Sequence, residues 1–336
     1  MKWLISLVFC SVLTGQAVAQ TLGGDAAYTF LNNPSSTQLT ALGGVNISNI
    51  SKDASLAFYN PALLRENLNS QFSSDFSLFF GGIKQLHAQG VLTHKASQTI
   101  FGAGVQYVHY GSAMQTDPAG NVMGEFRPSD FAIQVSAGRK YLDRWFYGVN
   151  LKFIQSNYGV YRSSAIAADF GLNYLDSAKG WQVGFLARNM GMQLKTYAGE
   201  GEDMPFDLQL GVTKRFIGSP FQVSVTTQRL HQFDLAYEDT TFNADNGFPN
   251  QSTGFMTNLF RHFVFAGQAY VGDKLEFTLA YNVLRRAELK VPNATGGLSG
   301  ISFGVGLLLP KMQFRFARSQ YINSTAYHQI GLNISL

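Results

Sequence analysis

From about residue 71 to residue 336, apolar side chains recur at every second position in runs of about ten residues, each closed by a break. The breaks alternate between very short and long. In one run Trp145, Tyr147, Val149, Leu151 and Phe153 are interleaved with Gly148, Asn150 and Lys152. In another Leu275, Phe277, Leu279, Tyr281 and Val283 alternate with Glu276, Thr278, Ala280 and Asn282. Successive side chains of a strand point to opposite faces, so every run has one apolar face and one polar or small face. A closed barrel in a membrane needs this pattern, because lipid cannot satisfy an open sheet edge and the apolar face must point outward all the way round.

The runs lie near 71–81, 84–93, 99–110, 130–139, 144–156, 164–175, 180–190, 204–216, 220–232, 262–272, 274–284, 298–309, 311–319 and 326–336. That is about fourteen strands, an even number, as single-chain bacterial barrels have. Connections after the even strands are tight and carry turn residues, as at Gly218-Ser219, Gly272-Asp273 and Leu309-Pro310. Those after the odd strands are mostly long: Gly111 to Ser129, Gly191 to Asp203, Phe233 to Arg261 and Arg285 to Gly297. Outer-membrane barrels have short periplasmic turns and longer outside loops, so the long connections are expected outside and both ends of the chain in the periplasm. The expected fold is all-β: a transmembrane antiparallel β-barrel of about 14 strands with an N-terminal plug-like segment. A secreted soluble sandwich gives no reason for the strict odd–even ordering of the loops.

The start of the chain reads as an export signal. Lys2 provides the positive end, Trp3 to Leu13 the apolar stretch and Ala17-Val18-Ala19 a small-residue cleavage site. Three regions follow: 1–19 as a cleaved signal peptide, 20–69 as a plug or periplasmic segment, and 70–336 as the barrel. Cleavage removes Cys10, the sole cysteine, and with it disulfide and thiol chemistry. It also removes Lys2, taking the formal net charge from +4 to +3, with the basic residues dispersed rather than clustered. That balance gives no footprint for nucleic acid. The last eight residues, Gln329 to Leu336, resemble a barrel C-terminal β-signal, with Ile334 and Leu336 expected on the lipid face and an aliphatic rather than aromatic end.

Charged residues fall mainly on the inner parity. Folding the fifth and sixth strands about Val160 brings Lys152 near Asp169, and folding the seventh and eighth about Tyr197 brings Arg188 near Asp207. Two lumen ion pairs are therefore predicted, against the alternative of separately solvated charges. Small inner residues, among them Gly102, Gly104, Gly171, Gly184, Gly304 and Gly306, leave room for a plug. The six histidines, at 87, 94, 109, 231, 262 and 328, are scattered and match no zinc spacing or serine-hydrolase signature. His231 and His262 flank the longest loop without a third ligand. No enzyme activity, cofactor or metal is expected.

Residues 21–69 lack sustained alternation but are too apolar for a free tail. They carry Gly23-Gly24-Asp25-Ala26-Ala27-Tyr28-Thr29-Phe30-Leu31, Ala41-Leu42-Gly43-Gly44, and Asp53 to Leu64 with Asn60-Pro61-Ala62-Leu63 inside it. With Leu259-Phe260-Arg261-His262-Phe263 before the tenth strand, these features resemble the FadL-like barrel superfamily, and within it the PorQ family of the type IX secretion system. The resemblance implies fourteen strands, an N-terminal plug and membership of the attachment complex. In that complex such a barrel holds the surface protein PorZ beside the sortase PorU and the shuttle PorV, while cargo is processed and joined to anionic lipopolysaccharide. The other reading open to this superfamily is a transporter of hydrophobic small molecules, against which the polar inner parity weighs. Gly43, Gly44, Asn60 and Pro61 are the structural motif; proline fixes its own φ and glycine permits unusual ones, so a purely structural role competes with partner contact. The longest loop is apolar for an exposed one, and Phe242, Phe248, Phe255, Met256, Leu259 and Phe260 are the candidate partner-binding residues, since aromatic and methionine side chains favour interface cores. An inward-folded loop capping the barrel is the alternative.

Overall fold

A computed structural model describes residues 26–235, 254–289, 297–321 and 325–336. Among them fourteen antiparallel strands close into one barrel: β1 (Gln71–Leu78), β2 (Lys84–His94), β3 (Thr99–His109), β6 (Ser129–Tyr141), β7 (Trp145–Tyr158), β8 (Tyr161–Asp176), β9 (Trp181–Lys195), β10 (Asp207–Arg215), β11 (Phe221–Thr227), β12 (Phe263–Val271), β13 (Leu275–Asn282), β14 (Ile301–Leu308), β15 (Met312–Gln320) and β16 (Ala326–Ser335). Each strand pairs with its sequence neighbours, and β1 closes the barrel on β16 with Gln71 opposite Ser335. The remaining two strands, β4 (Ala113–Thr116) and β5 (Val122–Phe126), form a separate hairpin inside the long connection from β3 to β6.

The alternation in sequence becomes alternation in exposure. Along β7 the odd residues Trp145, Val149, Leu151 and Phe153 are exposed, and Gly148, Asn150, Lys152 and Ile154 are buried. The inside of this barrel is polar: Gln85, Gln134, Asn150, Asn173, Gln209, Thr213, Ser302 and Gln329 are all fully or almost fully buried. Among the described residues no helix is long and apolar enough to cross a membrane.

Several expected boundaries shift. β9 continues to Lys195, so Gly191 to Lys195 belongs to the wall and not to a loop. β11 stops at Thr227, well short of 232. The connection at 233–261 ends in a helix, Phe255–Arg261, and that at 285–297 opens with the end of another, Val283–Glu288. Periodicity alone could not see the β4–β5 hairpin, because its residues are exposed on both faces. The export signal and the stretch 20–25 lie outside the described residues.

Residues 26–69 fill the lumen. They form a 3-10 turn (Thr29–Asn32), a helix (Thr37–Ala41), a second helix (Ser55–Tyr59) and two further turns (Pro61–Leu63 and Glu66–Leu68). Helices of five residues are not stable alone in water, so the surrounding wall must hold them. The segment reaches the long-loop end at Ala27, whose N–H donates to Asp203 O (2.9 Å). It reaches the opposite end at Ser70, whose carbonyl accepts from Leu336 N (2.9 Å). The two ends of the barrel itself therefore share the short-turn end, whereas the plug threads the lumen and brings Ala26 to the long-loop end. An even strand count constrains the first of these and is silent on the second.

Candidate functional site: the plug and its lumen wall

Polar strand residues bind the plug by its exposed backbone. Gln106 donates to Phe30 O, Gln85 to Pro34 O, Asn282 to Gly43 O and Gln134 to Phe58 O, at 2.9 to 3.1 Å. An irregular segment buried in a barrel has carbonyls that neither helix nor sheet satisfies, and each left unpaired costs about 1–3 kcal/mol. Amide side chains on the inner parity supply the missing partners. This explains why that parity is rich in Gln and Asn rather than in Leu and Val.

The Asn60-Pro61 pair is used completely. Asn60 is fully buried; its Nδ2 donates to Ile47 O (2.7 Å) and to Asn173 Oδ1 (3.0 Å), and its Oδ1 accepts from Ala62 N (3.0 Å). Pro61 opens the following 3-10 turn, where its missing N–H has no helical partner to lose. The wall approaches this corner through glycines. A Cβ at Gly148 would lie 2.5 Å from the Pro61 carbonyl carbon and oxygen, and one at Gly138 would lie 2.7 Å from Leu64 Cβ. A Cβ at Gly171 would collide with the Asn60 side chain, and one at Gly304 with Ala41. Gly306 makes room for something else: it lies between Glu276 and Arg315 in the sheet, and lets those two side chains meet across an intervening strand. Gly43 and Gly44 both have φ of +90°, and a Cβ on either would come within 2.6 Å of Val264 or Arg285. Their roles here are conformational and steric.

Three clusters of buried charge lie in the lumen, the first within the wall and the other two between wall and plug. In the first, Lys152 Nζ lies 2.7 Å from Asp169 Oδ2, with both side chains buried. Asp169 also accepts from Asn150 Nδ2 and from the Asn189 N–H, and Lys152 donates to Asn189 Oδ1, each at 2.8 Å. Lys152 stands opposite Ala167 and Asn150 opposite Asp169, so the ion pair is diagonal across β7 and β8.

The second pair takes another form. Arg188 and Asp207 face each other in register on β9 and β10, yet among the described residues they form no ion pair within 4 Å. Arg188 lays its guanidinium over the Tyr59 ring, 3.9 Å from the centroid, and donates from Nη2 to Leu31 O (2.9 Å). Asp207 accepts from the Arg229 N–H (2.6 Å) and from Gln209 Nε2 (2.5 Å). Strand register brought the two together, but the plug, invisible to a strand-pairing argument, offered Arg188 a ring and a carbonyl that turn it inward.

The third cluster was not anticipated from sequence. Arg315 pairs with Asp53 of the plug and lies 3.4 Å from Glu276 Oε2. Asp53 also accepts from Ser55 N (2.8 Å) and Asn333 Nδ2 (2.9 Å). Burial works against ionisation of Asp53, but Arg315, Ser55 and Asn333 outweigh it and hold its carboxyl below the usual value. The available signal was that Glu276, Gly306 and Arg315 share the inner parity on adjacent strands.

At the long-loop end a cleft of about 180 Å³ remains between plug and wall, lined by Tyr59, Arg188, Asp207, Arg229, Arg285 and Glu288 among others. Its lining mixes these charged groups with Phe206, Leu284 and Leu289. His231 and His262 do not build a metal site there: His231 meets Phe206 edge to face, and the two ring nitrogens of His262 lie 2.8 and 3.1 Å from the carbonyls of Gln228 and Phe233. Among the described residues no group of three or more His, Cys, Asp or Glu could hold a metal ion.

Of the loop candidates, Phe242 and Phe248 lie outside the described residues. Phe255, Met256 and Phe260 are exposed on the rim helix, and Leu259 is half-buried. That helix is held by Asn258, whose Nδ2 donates to Asp234 Oδ1 (3.0 Å), and by stacking of Phe255 on Phe233 at 5.2 Å between centroids.

The chain is thus a closed fourteen-stranded antiparallel barrel with a polar interior filled by residues 26–69 and apolar side chains on its outer face. Among solved structures the chain is similar to the CymD monoaromatic hydrocarbon channel, with 14% identity over 92% of this chain and 99% of that one and a TM-score of 0.55. It is also similar to the TodX deltaS2S3 mutant monoaromatic hydrocarbon channel (11% identity, 89% and 96% covered, TM-score 0.54). The Pseudomonas putida toluene transporter TodX matches as well (10% identity, 90% and 97% covered, TM-score 0.51). At such identities the likeness is one of fold. No protein-family model matches the chain, and no curated protein does.

Proposed function

We propose that this protein is a non-enzymatic outer-membrane anchor: a barrel whose lumen is filled for rigidity and whose long-loop rim holds a partner at the cell surface. The carrying observation is the filling of the lumen. The plug is locked to the wall by the Asp53–Arg315 pair, by Arg188 on Tyr59 and Leu31, and by amide–carbonyl bonds, and the cleft left at the long-loop end is small and carries charged side chains. A path for apolar compounds needs a lining that is mostly apolar. The exposed Phe255, Met256 and Phe260 on the rim helix suit the core of an interface. With the resemblance of the plug sequence to the PorQ family, this supports the finer reading: a component of the type IX attachment complex that holds PorZ beside PorU and PorV during cargo attachment to anionic lipopolysaccharide. In this reading the long loops face outward and the short turns face the periplasm.

The second reading, a transporter of hydrophobic small molecules, is favoured by the similar solved structures, which are hydrocarbon channels and a toluene transporter. Those comparisons point to transport more directly than to attachment. The two readings separate in one experiment: affinity purification of the tagged protein from its native envelope in mild detergent. Co-purification of a large surface protein, lost on deletion of residues 243–253 while the barrel stays heat-modifiable, is expected for the anchor. Recovery of the barrel with bound apolar compounds alone, together with their uptake into barrel-containing vesicles, would establish the transporter instead.

A further inference from the structure

Among the described residues the β8–β9 pairing is broken twice, at Ser164/Ala165 beside Lys195 and, deeper in the wall, at Ala168/Phe170. At the deeper break Asn189 has φ of +56°. Beyond it the outward parity of β9 changes: Trp181 and Val183 face out before the break, Met190 and Met192 after it. A β-bulge of this kind bends the strand and re-aims its side chains. On the inside the Lys152–Asp169–Asn189 cluster seals the break, with the Asn189 N–H donating to a carboxylate instead of to a strand carbonyl. On the outside it leaves a groove of about 660 Å³. Its floor includes Ala168 and Gly191, and Leu151, Phe153, Ile166 and Met192 stand around it. Gly191 cannot carry a side chain, because its Cβ would run into the Ile166 carbonyl.

The groove opens on the lipid-facing surface, in the half of the barrel nearer the long loops. Above it the same strands end in basic residues. Arg162 lies four residues beyond Ile166, about 13 Å along β8, and Lys195 three residues beyond Met192, about 10 Å along β9. Both are exposed, and Arg127 at the foot of the β4–β5 hairpin shares a surface notch with Arg162 and with one carboxylate, Glu125, so that cations still outnumber anions there. An apolar groove beneath the exposed cations Arg162, Lys195 and Arg127 matches a molecule with an apolar chain and an anionic head. We infer that the groove seats an acyl chain of a phosphate-bearing anionic membrane lipid of the long-loop leaflet, whose headgroup meets Arg162, Lys195 and Arg127. The two sulfurs suit a flexible apolar occupant, since methionine adapts its shape at low cost. The inference holds whichever function the barrel serves.

The test is native mass spectrometry of the full-length barrel, purified in detergent and incubated with phosphatidylglycerol or with phosphatidylcholine of the same acyl length. Wild-type protein is expected to retain phosphatidylglycerol at least about tenfold better, since several basic residues near a membrane surface together attract an anionic headgroup. Ala168→Phe, which fills the floor, should abolish retention of both lipids. Arg162→Glu combined with Lys195→Glu touches only exposed residues and should erase the preference for phosphatidylglycerol while leaving a heat-modifiable barrel. Equal retention of the two lipids by the wild type would overturn the proposal, as would an unchanged preference in the charge-reversed protein.

Discussion

Gly148→Ala tests whether the plug is locked where the wall glycines receive it. The added Cβ would stand 2.5 Å from both the carbonyl carbon and the oxygen of Pro61, and 2.9 Å from Ala62 N, whereas ordinary contact begins near 3.4 Å. All three atoms are backbone, so no side-chain rotation relieves the clash. The Pro61 corner would have to retreat by about 0.9 Å, and its neighbour Asn60 is tied to Ile47 O at 2.7 Å and to Asn173 at 3.0 Å. A retreat of that size stretches the shorter bond to about 3.6 Å, where it no longer counts as one. Overpacking of this kind costs about 1–3 kcal/mol, and each lost hydrogen bond about 1 kcal/mol more. The barrel refolded in lipid vesicles should therefore unfold in urea with about 2–5 kcal/mol less stability, read from tryptophan fluorescence. In planar bilayers it should also show current steps that the wild type lacks, because a loosened plug lets ions pass. Gly267→Ala is the control, since no heavy atom lies within 4 Å of its Cβ. If the two variants share the same urea midpoint and both stay silent in the bilayer, the plug is not seated as described.

Lys152→Met should destabilise the barrel by about 3–5 kcal/mol in the same urea assay, because it leaves Asp169 charged, buried and without its cation. The double variant with Asp169→Asn should recover most of that loss, and a double variant no better than the single would argue against the pair. For Arg188, the ring contact predicts coupling to the plug: Arg188→Gln and Tyr59→Leu should be non-additive in a double-mutant cycle by about 0.5–2 kcal/mol, whereas Arg188→Gln and Asp207→Asn should couple weakly. Asp53 sets an acid limit. Its folded-state carboxyl is held below the ordinary value of 3.8, so its contribution is complete above that value and is lost as pH falls through the lower, folded-state one. Protease cleavage within 26–69 should accelerate in that acid window, and Asp53→Asn should remove this step in the pH profile.

What could be read from the chain without its structure follows from the range of the forces involved. Alternation is a local property, because a strand turns each side chain to the opposite face from the last. The fourteen strands, the polar lumen and the order of long and short connections were all legible in Leu275 to Val283 and its counterparts. The diagonal meeting of Lys152 with Asp169 was legible too, since a tight turn at Gly159-Val160 fixes register for the whole hairpin. Contacts of the plug are of another kind. Asp53 meets Arg315 and Asn333 across more than 250 positions of sequence, and no periodicity links them. Arg188 faces Asp207 by register but is drawn to Tyr59 and Leu31, because a guanidinium inside a crowded lumen takes the partners that lie along its own length. The bulge at Asn189 also escaped the parity reading, which assumes that alternation is never interrupted. Strand periodicity thus determined the barrel and its two faces by itself, from the geometry of extended backbone. Only the tertiary structure decided how the lumen is filled and where the wall is broken, because both depend on which distant groups satisfy one another once water has been excluded.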